Sequence, residues 1–169
     1  MVQGLALLTL VLAAARPHAP TCQTSDARVE AVIAAEVREL KGQERCQYRR
    51  YETLSDVDGD GRPDFVVVFS VEGMSGGNDV KQFLALLPSS SQWTARVVEC
   101  GARGTRLVET IEVKERSILL HTSEYRPGDA MCCPSGKGVA TFRVEGKGLV
   151  EVKPGGAETP GPAAAPPPS

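Results

Sequence analysis

Residues 56–71 read DVDGDGRPDFVVVFSV, a tight Asp/Gly loop that runs without a spacer into a largely apolar stretch. Gly59, Gly61 and Pro63 keep the loop out of regular helix. Residues 65–71 (FVVVFSV) are β-branched and nearly continuous in hydrophobicity, the pattern of a buried strand. A chain that holds this segment must build a sheet around it.

The rest of the sequence supplies the neighbours. Alternating or β-branched runs recur at residues 48–54, 81–87, 93–98, 107–113 and 118–123. Residues 139–144 and 149–152 predict a hairpin across Glu145-Gly146-Lys147-Gly148. Short strands separated by turn residues predict a meandering antiparallel sheet. A helix precedes it over residues 25–41, where Val29, Val32, Ile33, Val37 and Leu40 recur at helical spacing. Arg28, Glu30, Glu36, Arg38 and Glu39 occupy its other face, Thr24 or Ser25 caps its start, and Gly42 stops it. The fold class expected is α+β: a mainly antiparallel β-sheet meander with one N-terminal amphipathic helix packed on it.

The 169 residues fit one domain. A net charge of −2 argues against a general nucleic-acid binder or a basic membrane-surface protein. Residues 4–15 (GLALLTLVLAAA) are apolar, shorter than the roughly 20 residues of a membrane span and of signal-peptide length. Cleavage after Ala15, or as late as Ala19, leaves an exported domain over residues 16–153, with no membrane span. Cys22 follows Pro20-Thr21, which argues against lipidation. Residues 154–169 (PGGAETPGPAAAPPPS) predict a disordered or polyproline-like tail. Export permits disulfides among Cys22, Cys46, Cys100, Cys132 and Cys133. Cys22 and Cys46 bracket the helix, and Cys100 is expected to pair with Cys132 or Cys133. A vicinal Cys132–Cys133 bond with redox activity is the alternative.

Chemistry concentrates in the loop. Asp56, Asp58, Asp60 and Asp64 stand at positions 1, 3, 5 and 9 of one tight turn. Calcium takes about six to eight oxygen ligands in flexible geometry, and alternate side chains of such a turn converge. The Arg62 carbonyl can add a neutral ligand. Magnesium fits less well because it prefers a rigid octahedron and keeps its waters. An EF-hand is excluded, because position 12 is Val67 within the predicted strand, where that loop needs Glu.

Over residues 54–87 the chain resembles FG-GAP and VCBS-type repeats, in the D-x-D-G-D-G-x-x-D loop, the strand after it, Gly76-Gly77-Asn78 and residues 83–86. The resemblance implies bound Ca2+, with Asp56, Asp58, Asp60 and Asp64 as metal contacts and a backbone role for Arg62. It covers a single copy, and residues 16–153 cannot supply the blades of a propeller. Residues 129–135 (DAMCCPS) also resemble segments of small uncharacterised bacterial exported proteins.

Gly73-Met74-Ser75-Gly76-Gly77 matches G-x-S-x-G after a strand, and His121 lies downstream beyond Asp79, Glu99 and Glu109. The small chain and the lack of alternating helices and strands argue against a hydrolase. On its predicted strand His121 reads as structural or surface, Trp93 as a core or sheet-face anchor, and Arg45, Arg49 and Arg50 as a solvated strand face. The sequence therefore points to an exported, monomeric calcium-binding domain with calcium in a structural role. It is expected to act as a non-catalytic binding module for a protein or glycan partner. The alternatives are a small secreted hydrolase using Ser75 and His121, or a redox protein using Cys132-Cys133.

Overall fold

The structure, a computed structural model, describes residues 26–45, 51–74, 76–90 and 94–153, with backbone alone at Tyr51 and Glu52. The proposed signal peptide, the C-terminal tail, Cys22, Cys46, Ser75 and Trp93 lie outside the described residues. One helix, α1 (Ala27–Leu40), precedes β1 (Gln43–Glu44), β2 (Tyr51–Ser55), β3 (Asp64–Glu72), β4 (Val80–Leu87) and β5 (Arg96–Ala102). Then come β6 (Arg106–Lys114), β7 (Ser117–Glu124), β8 (Gly136–Glu145) and β9 (Gly148–Val152).

The strands form one sheet, and from β3 to β9 each pairs antiparallel with the next in sequence. β1 and β2 share the remaining edge of β3, β1 at its Glu72 end and β2 from Val68 to Asp64. The predicted α+β meander with one packed helix is the observed architecture.

β3 is covered on both faces, which is why it carries no polar alternation. Val67, Phe69 and Val71 pack with Phe83, Ala85 and Leu87 of β4 under Val29 and Ile33 of α1. Phe69 and Phe83 stack with ring centroids 5.6 Å apart. Val66 and Val68 point the other way and meet Ile118 and Leu120 of β7 and Ala140 and Phe142 of β8. The sheet therefore curls over its own inner face. Register shifts between Gln82 and Phe83 and between Val108 and Thr110 add the local twist that such curling needs. Each fully buried Phe or Leu in these clusters stabilises the fold by roughly 1.5–3 kcal/mol.

Several boundaries differ from expectation. The helix cap is Asp26, whose Oδ1 accepts a 2.8 Å bond from the Arg28 N–H, in place of Thr24 or Ser25. Helix α1 ends at a left-handed Lys41, and Gly42 serves a close approach: a Cβ there would lie 2.6 Å from Val71 Cγ1. β1 is an unpredicted strand, and its two residues carry no periodicity to reveal it. β5 is shifted from residues 93–98 to Arg96–Ala102. Gly101 lies within the strand, at a position where a Cβ would come 2.7 Å from the Arg106 carbonyl oxygen.

The expected bond from Cys100 to Cys132 or Cys133 is corrected. Cys132 bonds to Cys133 in the exposed connection between β7 and β8, whereas Cys100 is a free thiol inside the inner cluster. The curl turns Cys100 inward while the vicinal pair stays in an exposed loop.

Candidate metal centre

The loop between β2 and β3 is anchored at both ends. Ser55 and Asp64 are paired residues of the two strands, and Val57 is 1% exposed within the inner cluster. Asp64, fully buried at the start of β3, holds the loop from below. Its Oδ2 accepts from the N–H groups of Val57 at 3.0 Å and Asp58 at 3.3 Å, and its Oδ1 accepts from Ser89 N–H at 2.9 Å.

The other carboxylates organise the turn itself. Asp56 accepts from Gly59 N–H at 2.7 Å and from Gly61 N–H at 3.1 Å. Asp58 Oδ1 accepts from Asp60 N–H at 3.1 Å, and Asp60 Oδ1 from Arg62 N–H at 2.8 Å. The last two are the Asx turns that Asp favours, and Gly59 and Gly61 sit at φ 84° and 83°, where L side chains are strained.

The result is a triad. One carboxylate oxygen each from Asp56, Asp58 and Asp64 lies within 4.8 Å of the others. Asp58 Oδ2 is buried there without a hydrogen-bond partner. Two carboxylates about 4 Å apart repel by roughly 4 kcal/mol at an effective dielectric of ~20, and a buried unpaired anionic oxygen adds a desolvation cost. A hard cation relieves both, and the donor set is all oxygen. The residues present fit a metal ion.

Asp60 and Arg62 stand outside the triad. The Asp60 carboxylate lies 3.8 Å from Arg62 Nε, and the Arg62 side chain is 65% exposed. Reading the sequence also missed Arg116, in the turn between β6 and β7. Its guanidinium donates to the carbonyls of Val57 and Asp58 and lies where a side chain on Gly59 would have to go. It therefore steadies the loop through backbone oxygens and not through the carboxylates. Its partners are 58 and 59 residues away, so no local pattern could have found it.

Other candidates resolve into ordinary pairs. His121 Nε2 is 3.4 Å from Glu112 Oε2, a half-exposed cross-strand contact between β7 and β6. Glu109 accepts from Lys137 Nζ at 2.5 Å and from Ser123 Oγ, and these bonds hold its carboxyl below the usual carboxylate range. Arg45 pairs with Glu72 at 3.1 Å, and Arg49 and Arg50 lie outside the described residues. No helix among the described residues is long and apolar enough to cross a membrane.

Fold and site together define a class: a curled antiparallel sheet with one packed helix and an acidic loop able to hold a cation. Compared with known proteins, the chain matches no family model, no curated protein and no solved structure.

Proposed function

We propose that this protein is an exported calcium-binding domain, in which calcium locks the β2–β3 loop and so stabilises a non-catalytic binding module. The observation that carries the reading is the buried, unpartnered Asp58 Oδ2 on a residue whose carboxylate clusters with those of Asp56 and Asp64. The likeness to the FG-GAP and VCBS-type loop supports calcium over magnesium, and it adds Asp60 and the Arg62 carbonyl to the shell once the ion is bound. Extracellular calcium modules bind with Kd near 10⁻⁴–10⁻³ M, so such a site fills outside the cell and empties inside. Export would then complete the fold.

Thermal unfolding of the full chain in ~10 mM calcium and in excess chelator tests this. Occupancy at ten to a hundred times Kd adds roughly 1.4–2.7 kcal/mol, a rise in Tm of about 5–10 °C. Asp58→Asn is expected to abolish the rise, while Asp60→Asn keeps a reduced one. Equal melting in calcium and chelator would reduce the loop to an acidic turn.

A further inference from the structure

At the Glu72 end of β3, away from the Asp loop, the structure holds an open cavity of about 300 Å³. Asp64 and Ser70 are six residues apart on β3, so about 20 Å of strand separates the metal centre from this cavity. The two are distinct sites.

Two guanidinium groups line the cavity, those of Arg45 and Arg103, and no carboxylate among the described residues joins them. Glu72 counters Arg45 at 3.1 Å. Arg103 has no acidic partner among the described residues: its Nη1 donates to the Asn78 carbonyl at 2.5 Å and its backbone N–H to the Val80 carbonyl at 2.9 Å. Among the described residues one positive charge is therefore uncompensated. Polar groups also line the interior, where Gln82 and Ser70 are 2% and 3% exposed. Gln82 is fixed in place, its Oε1 accepting from Val108 N–H at 2.6 Å and its Nε2 donating to Ser70 Oγ at 3.4 Å. The remaining lining is apolar, from Val80, Leu107 and Met131. Tyr125 Oη donates to the Met131 carbonyl at 2.7 Å and ties down the segment that leads into the Cys132–Cys133 bond.

A guanidinium without a counter-ion beside an apolar wall matches a ligand with one anionic end and one apolar end. The volume, at the small end of the roughly 300–1,000 Å³ of ligand cavities, limits its size. We propose that this cavity binds a small organic carboxylate with a short apolar chain. The carboxylate accepts two N–H bonds from Arg103, with Arg45 flanking it, in the bidentate geometry guanidinium favours. The chain lies against Val80, Leu107 and Met131.

Calorimetric titration of the full chain with hexanoate tests the proposal, with hexanamide as the neutral analogue and inorganic phosphate as the anion without a chain. Saturable hexanoate binding is expected, with hexanamide and phosphate at least tenfold weaker. Arg103→Gln, shown by circular dichroism to be folded, is expected to weaken hexanoate by about tenfold or more, with Arg103→Lys recovering part of the loss. Absence of saturable hexanoate binding would overturn the proposal. So would equal affinity for hexanamide or phosphate, or an Arg103→Gln variant that binds as the parent does.

Discussion

Burial decides what each cysteine can do. Cys100 is 1% exposed in the inner cluster, and burial pushes its thiol up to about 12, with Arg106 only partly offsetting the shift. At pH 8 that leaves a thiolate fraction on the order of 10⁻⁴, and the thiolate is the reactive form. Iodoacetamide should therefore leave Cys100 unmodified in the native protein and label it fully in guanidinium, as read by peptide mapping. Fast native labelling at that residue would mean that the curled core opens readily. The same residue shows where sequence reading ends. Cys100 alternates as a strand residue, but which face becomes interior depends on how the sheet curls, and the pairing expectation failed on that point. The Asp spacing was legible because its partners are local: Asp56 organises Gly59 and Gly61, and Asp58 organises Asp60. The contributions of Ser89 and Arg116 were hidden because both arrive from connections distant in sequence, after β4 and between β6 and β7.

At the scale of elements, the β6–β7 turn is the least expected piece of local chemistry. Glu115 and Arg116 hold φ 49° and 61°, the left-handed region that two-residue hairpins require and that Gly, Asn and Asp occupy most easily. Hydrophobic alternation brackets both strands, yet nothing in Glu-Arg signals such a turn. The two residues should respond oppositely to glycine. Glu115→Gly relieves the backbone and is expected to stabilise by about 0.5–1 kcal/mol, read as a raised urea midpoint with unchanged slope. Arg116→Gly relieves the same strain but releases the carbonyls of Val57 and Asp58, so no gain is expected. If both raise the midpoint equally, Arg116 does nothing for the loop. A lower midpoint for Arg116→Gly than for Glu115→Gly would mark the strained arginine as the residue that reaches the Asp loop from the β6–β7 turn. The meander itself was legible because every strand from β3 onward pairs with its sequence neighbour. Closure was not, since the register shifts at Gln82/Phe83 and Val108/Thr110 leave no mark on the hydrophobic pattern.

Over the whole molecule, carboxylates bind distant strands together. Arg106 of β6 grips Glu151 of β9 through two 2.6 Å bonds, and Lys137 of β8 reaches Glu109 of β6. Asp129, in the β7–β8 connection, accepts from the N–H groups of Arg126 and Ser135. Hydrogen bonds to these partners hold Glu151, Glu109 and Asp129 below the usual carboxylate range, and Arg28 does the same for Asp26. A carboxyl whose value is depressed on folding contributes stability that is complete above its unfolded value and is lost as pH falls through the folded one. Glu36 runs the other way: burial, then Glu39, raises it, so protonation favours the folded form there. The four depressed groups outnumber it, and three of them join separate strands or close a loop. In chelator, so that the proposed calcium does not enter the measurement, Tm should be flat from pH 7 to about 5 and fall below about 4.5. Glu151 is itself 37% exposed, so its pair with Arg106 is worth no more than about 1 kcal/mol after solvent screening. Glu151→Gln should accordingly lower Tm at pH 7 while making the acid slope shallower, because one of the groups that titrates on unfolding is gone. A variant that melts lower at every pH with the parent's slope would show that the β6–β9 contact is held by packing alone, and that the curled sheet does not depend on this ion pair to stay closed.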